Sequence, residues 1–147
     1  MPAITSRPRK AALVAKVSAA AVVMVFGTIA WALGGHAGLG GGAFSLPSQI
    51  GVALVGLIGA GGLLVFGSPR LYADEVGLRV RNLLPTPHLV EWADVAGFRF
   101  GDGSPWAFIQ LLDGDEVPVL AVQAADGRYA EETVAALRKL HASITAD

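Results

Sequence analysis

The sequence predicts an α+β protein in which a two-helix transmembrane hairpin precedes a small β-rich domain closed by a C-terminal α-helix. Three features predict it. From Val17 to Pro69 the chain has no Asp, Glu, Lys or Arg, and a glycine-rich break divides this stretch in two. After Pro69 the pattern changes to short alternating runs separated by turn residues, and from Ala130 it changes again to a helical period.

The first apolar run, Val17 to Leu33, and the second, Ile50 to Gly67, each approach the roughly 20 residues needed to cross about 30 Å of hydrocarbon. One charge at a helix centre costs about 2.5–3.5 kcal/mol on insertion, several times what one Leu returns, so the complete absence of charge favours a bilayer over a soluble core. The expected layout is a basic arm at 1–16, a hairpin at 17–67 with helices near 17–34 and 50–67 and a loop at 35–49, and a domain at 68–147. The connecting loop contains Pro47 and bears His36 as its one titratable group. Its run Gly38–Gly42 lacks the Gly-Lys-Ser/Thr that a phosphate-binding loop requires, and reads as a turn. In the second helix Gly56, Gly59 and Ala60, continued by Gly61 and Gly62, form a small-residue stripe that lets another helix approach closely.

The net charge of −1 conceals two halves of opposite sign. Residues 1–69 hold Arg7, Arg9, Lys10 and Lys16 and no acid (+4), whereas residues 70–147 hold seven bases and all twelve acids (−5). A basic arm beside the first span and an uncharged connection after it predict a cytoplasmic amino terminus, and two crossings return the chain to the cytoplasm. Arg7, Arg9, Lys10 and Lys16 are then lipid-orienting residues, each contributing about 1 kcal/mol near an anionic surface. A rival reading takes Val17 to Ile29 as the core of a secretory signal with Ala30-Trp31-Ala32 as its cleavage site; the last domain would remain cytoplasmic. The chain has no cysteine, which excludes disulfides, thiolate chemistry and Cys-containing zinc sites.

Beyond Pro69, strands are expected at Arg70–Ala73, Leu78–Leu84, His88–Trp92, Ala96–Phe100, Ala107–Leu112 and Glu116–Val122. Asp74-Glu75-Val76-Gly77 and Asp113-Gly114-Asp115 are their tight turns, and Pro118 marks an edge strand. Ala130, Val134, Leu137, Leu140 or His141, and Ile144 share one helical face, with Glu131 and Glu132 near the start and Arg138 and Lys139 near the end to complement the helix dipole.

The segment Arg70-Leu71-Tyr72-Ala73-Asp74-Glu75-Val76-Gly77-Leu78-Arg79-Val80-Arg81, followed by Val90-Glu91-Trp92-Ala93-Asp94-Val95 and the Asp-Gly hairpin, resembles bacterial pleckstrin-homology-like proteins. Within that group it is similar to small actinobacterial membrane proteins of the low-molecular-weight antigen type. The resemblance implies a partly open β-barrel or two orthogonal sheets with the terminal helix plugging one end. It also implies seven strands, one more than the six recognised. Fold alone does not imply phosphoinositide binding.

A phosphoinositide site needs converging cations on a strand hairpin. Arg79 and Arg81 are the one such pair, weak anion-site candidates in a domain whose turn carries Asp74 and Glu75, and the upstream lysine usual in the family is missing. Trp92 and Asp94 read as core and turn residues. Asp113, Asp115 and Glu116 lack the full calcium-loop pattern. His36, His88 and His141 stand in separate segments with no metal-ligand spacing, and no nucleophile or zinc-protease motif is present. No cofactor, no metal and no enzymatic activity are expected. Nucleic acid is disfavoured, because phosphate neutralisation needs basic surface and the domain is acidic. The expected function is that of an inner-membrane protein whose cytoplasmic domain docks a protein partner beside the bilayer. The alternative is an accessory subunit associating through the Gly56–Gly62 stripe, including with copies of itself, and anionic-lipid sensing is the third reading.

Overall fold

The computed structural model describes residues 3–35 and 45–146. His36 and Gly38–Gly42 lie outside the described residues. The chain divides into two compact units: Ala11–Gly67, and Met1–Lys10 together with Ser68–Asp147.

The first unit holds most of α1 (Arg9–Gly35) and all of α2 (Leu46–Val65), both longer than the expected spans at their amino-terminal ends. Both helices are long and apolar enough to cross a membrane, with mean hydropathy of 2.1 and 1.9 over their most apolar windows. Pro47 stands in the first turn of α2, where its missing N–H would have no helical partner anyway. At the other end the N–H groups of Phe66 and Gly67 return to the carbonyls of Leu63 and Leu64, and Pro69 prevents continuation. Small residues are the buried ones: Ala15, Ala19 and Ala30 on α1, Gly56 and Ala60 on α2. A Cβ at Gly56 would fall inside the Phe26 side chain, and one at Gly67 would stand 2.9 Å from the Ala12 Cα. The two helices therefore meet through surfaces that only small residues permit.

The second unit is built from two antiparallel sheets and a helix, with no closed barrel among the described residues. One sheet has the order β1 (Ile4–Ser6), β2 (Arg70–Ala73), β3 (Gly77–Arg81), β4 (His88–Glu91), and the other has the order β5 (Val95–Arg99), β6 (Trp106–Leu111), β7 (Glu116–Gln123). Helix α3 (Arg128–Thr145) lays Ala130, Val134, Leu137 and Leu140 on the shared core. The alternation read from the sequence decides which rows face in: Leu71, Ala73, Leu78, Val80 and Val90 line the core from the four-stranded sheet, and Ala107, Ile109, Val119 and Ala121 from the other. Pro118 lies on β7, an edge strand, as its missing N–H requires.

The seventh strand is the principal departure from the sequence reading. Within the expected basic arm, Ile4, Thr5 and Ser6 pair with Ala73, Tyr72 and Leu71, so β1 belongs to the domain's sheet and the apolar hairpin is inserted between the first two strands. Ser6 is buried, its Oγ 3.4 Å from both the Ala121 carbonyl and the Tyr129 hydroxyl. The carboxylate of Asp126 accepts the backbone N–H groups of Arg9 (2.9 Å) and Lys10 (2.8 Å), capping the start of α1 from the far end of the sequence. Strand β3 stops at Arg81, short of the expected Leu84. Asn82 instead turns its amide onto β7, donating to the Pro118 carbonyl (2.8 Å) and accepting from the Leu120 N–H (3.1 Å), which stitches one sheet to the other.

Candidate functional site

The outer surface of the four-stranded sheet gathers several arginines across its paired strands. Antiparallel register places Thr5, Tyr72, Arg79 and Leu89 in one cross-strand row. Arg70 stands directly opposite Arg81 in the outward row beyond it, and Arg7, one residue past Ser6, is next in line to Arg70. Arg79 and Arg81 are thus brought to one face, and register adds Arg70 and Arg7, which spacing alone does not reveal. The Arg79 guanidinium lies 5.9 Å from the centre of the Tyr72 ring, and Arg81 donates to the Ser68 carbonyl at 3.3 Å.

Acids gather at the opposite end of the same sheet. Glu91 faces Gly77 across β3 and β4, and Asp74 and Glu75 occupy the β2–β3 turn. Asp74 is engaged structurally: its Oδ1 accepts the N–H groups of Val76 (3.0 Å) and Gly77 (3.1 Å). Its carbonyl accepts the Trp92 indole N–H at 2.7 Å. At this end a shallow groove of about 200 Å³ is lined by Val76, Arg79, Leu89 and Glu91, with Val76 84% and Leu89 70% exposed. The groove offers exposed apolar side chains with one base, Arg79, and two acids, Asp74 and Glu91, in its lining, and it borders β4, an edge of the sheet.

Other singled-out residues have structural employment. Trp92 is buried in a 3-10 turn, 5.8 Å from the ring of His141, which also meets Phe98 edge-on at 6.1 Å. The Asp94 carbonyl accepts from Leu112 N–H at 2.9 Å. The Asp113 carboxylate accepts from Asp115 N–H at 3.0 Å, while Gly114 takes φ +95°, a conformation that favours glycine. Glu116 is held by Arg99 through two contacts, 2.9 Å from Nε and 2.6 Å from Nη2, which lower its carboxyl below the usual range and raise the Arg99 guanidinium. His88 lies exposed on β4, far in sequence from His141. No group of three or more His, Asp or Glu among the described residues is placed to hold a metal ion.

The basic residues of the amino-terminal segment separate. Arg9 stacks its guanidinium 3.8 Å over the Tyr129 ring, a cation–π contact that ties it to the domain. Arg7, Lys10 and Lys16 are exposed. Of the stripe residues, Gly56 and Ala60 are spent on the hairpin's own packing, whereas Gly59 is exposed and a Cβ there would meet only Val22, at 3.8 Å.

Two sheets with a closing helix, preceded by two helices long and apolar enough to cross a membrane, fit a membrane-associated module of the pleckstrin-homology-like class. Residues 68–141 match the bacterial PH domain family, and the chain belongs to it. It is 37% identical over 129 residues to uncharacterised proteins of Mycobacterium bovis and Mycobacterium tuberculosis, covering 88% of this chain and 83% of each relative. That likeness is longer than the family match and so extends into the apolar helices. No solved structure matches the chain.

Proposed function

We propose that the chain is a non-enzymatic integral membrane protein that crosses the inner membrane twice, with both termini cytoplasmic, and whose PH-like domain docks a protein partner beside the bilayer. The pairing of β1 with β2 supports the topology. Strands on either side of the hairpin share one sheet, so both must lie on the same side of the membrane, which needs an even number of crossings. It also supports an intact amino terminus, since cleavage after Ala32 would remove β1 from the sheet. The excess of basic residues before the first span supports the cytoplasmic side.

The observation carrying the docking role is the groove at Val76 and Leu89. Exposed large apolar side chains beside an unpaired strand edge fit an extended peptide segment, which gains main-chain hydrogen bonds from the edge and specificity from those side chains. A photo-crosslinker at Leu89, in the full chain in native membranes, should trap one stoichiometric protein, and Leu89→Asp combined with a crosslinker at Val76 should lose it. A crosslinker at Leu112, exposed in the β6–β7 turn, should not trap it. Trapping only the protein itself, or equal trapping from Leu112, would overturn the reading.

The open flank at Gly61 and Gly62, beside the exposed Gly59, supports a second reading, association of hairpins within the membrane.

A further inference from the structure

We infer that the end of the four-stranded sheet carrying Arg7, Arg70 and Arg81 is a membrane-contact surface, with Leu83 and Leu84 entering the interface and the arginines lying in an anionic headgroup layer. This goes beyond the docking role, which uses the opposite end of the sheet, and it stands if that role fails.

Three independent features converge on this end. The first is charge. Arg70 and Arg81 face each other across paired strands with Arg7 next in line, and like charges directly opposite are destabilising in the folded domain alone. An anionic surface relieves that cost, and the guanidinium fork suits phosphate oxygens. The net charge of −5 on residues 70–147, or −2 once Arg7, Arg9 and Lys10 of the amino-terminal segment are included, hides this arrangement, because the acids of this sheet stand at its other end.

The second feature is apolar exposure. The β3–β4 connection, Asn82-Leu83-Leu84-Pro85-Thr86-Pro87, begins directly after Arg81 and so projects from the same end. Leu84 is 74% and Leu83 39% exposed. Pro85 and Pro87 have no N–H, which removes two donors that would otherwise need partners on entering a low-dielectric layer, and Asn82 already spends its amide on β7. Two exposed leucines above a collar of arginines match the chemistry of a bilayer interface, apolar inside and anionic outside.

The third is chain connection. The chain leaves β1 and enters β2 at this end, and Gly67 ends the second apolar run only three residues before Arg70. Three residues reach at most about 11 Å. If the hairpin crosses the bilayer, Arg70 therefore stays within about 11 Å of the end of the second apolar run, which keeps this end of the sheet beside the headgroup layer.

The test uses the full chain in liposomes, where the cysteine-free sequence allows a single labelled cysteine. Leu84→Cys, and separately Val76→Cys at the opposite end of the sheet, carry an environment-sensitive fluorophore, and quenching by lipids spin-labelled near the headgroup is measured. In phosphatidylcholine vesicles containing phosphatidylglycerol, the label at 84 should be quenched and blue-shifted, and the label at 76 should not. Adding R70Q to Leu84→Cys should reduce the membrane-engaged population about fivefold, the equivalent of one basic residue near an anionic surface, and R70K should restore it. Equal quenching at 84 and 76, or quenching at 84 that R70Q leaves unchanged, would overturn the inference. So would quenching absent from liposomes and replaced, in native membranes, by a protein crosslink at Leu84.

Discussion

The hairpin and the β-domain use side-chain size in opposite ways. In the hairpin the buried positions are Ala15, Ala19, Ala30, Gly56 and Ala60, while Met24, Trp31 and Ile58 are 69%, 71% and 75% exposed. In the domain Leu71, Leu78, Ile109 and Leu137 are buried, and the arginines and most carboxylates face outward. In water, burying a large apolar side chain drives folding, so large residues go inside. Among lipid tails that drive is absent, and helices gain by close backbone approach, which small residues allow. The inversion between the two units therefore reports the solvent each one is built for.

The largest test of that contrast is a pair of isoleucines. Ile109, fully buried between β5 and β7, should cost the domain about 2–5 kcal/mol when replaced by Ala, read from denaturant unfolding of the full chain in detergent. Ile58→Ala on the hairpin should leave helix pairing unchanged, read as the disulfide yield between Val22→Cys and Gly59→Cys, positions where a Cβ at 59 would stand 3.8 Å from the Val22 side chain. A large loss from Ile58→Ala would mean that this surface is packed against something other than lipid, and the contrast would fail.

A smaller effect is expected from the glycines. Gly56→Leu overpacks against Phe26 and should cost the hairpin about 1–3 kcal/mol, seen as a drop in the same disulfide yield. At Gly59 a Cβ would make only an ordinary contact, 3.8 Å from Val22, so Gly59→Leu should disturb the hairpin less than Gly56→Leu and report on association between molecules. Loss of self-association with an intact domain would sharpen the glycine flank into a contact surface. Unchanged association, measured by crosslinking in native membranes, would remove that role.

Much of this architecture is legible in the sequence because it rests on local periodicity. The absence of charge from Val17 to Pro69, the alternation of Leu78 and Val80 with Arg79 and Arg81, and the helical face of Val134 and Leu137 all appear within a few residues. What escaped detection depends on distant partners. Strand β1 is three residues long between prolines and bases, too short to show alternation, and its partner β2 lies beyond the whole hairpin. The cap that Asp126 supplies to Arg9 and Lys10 has no local signal. The basic end of the sheet was hidden for a related reason. Arg79 and Arg81 are visible as alternate residues, but only strand register sets Arg70 opposite Arg81, and a net charge summed over the domain cancels the gradient that register creates. Leu89 was readable as a strand residue, and an outward face for it follows only once Val90 is seen to be buried.

The smallest effect expected lies on the domain's water-facing surface, where ion pairs are screened and contribute little. Arg99 nonetheless has several partners at once. It grips both Glu116 oxygens, donates to Ser104 Oγ at 3.0 Å and lies 4.3 Å over the Phe108 ring, so little side-chain freedom remains to be lost on pairing. Hydrogen bonding from Arg99 is the main cause that lowers the Glu116 carboxyl below its ordinary 4.5, with Gln110 adding a second donor. A carboxyl depressed in the folded state stabilises above its unfolded value and loses that contribution as pH falls through the folded value. Arg99 is shifted upward and remains charged throughout the acid range, so the acid limb belongs to Glu116. Glu116→Gln should therefore be slightly less stable than wild type at neutral pH, and the two should converge as the pH falls through the lowered folded-state value of the Glu116 carboxyl. Unfolding midpoints measured across that range test the point. A difference that persists unchanged at low pH would mean that Glu116 acts through packing rather than charge, and 0.5 M salt, which screens an exposed pair, should then leave it unaltered.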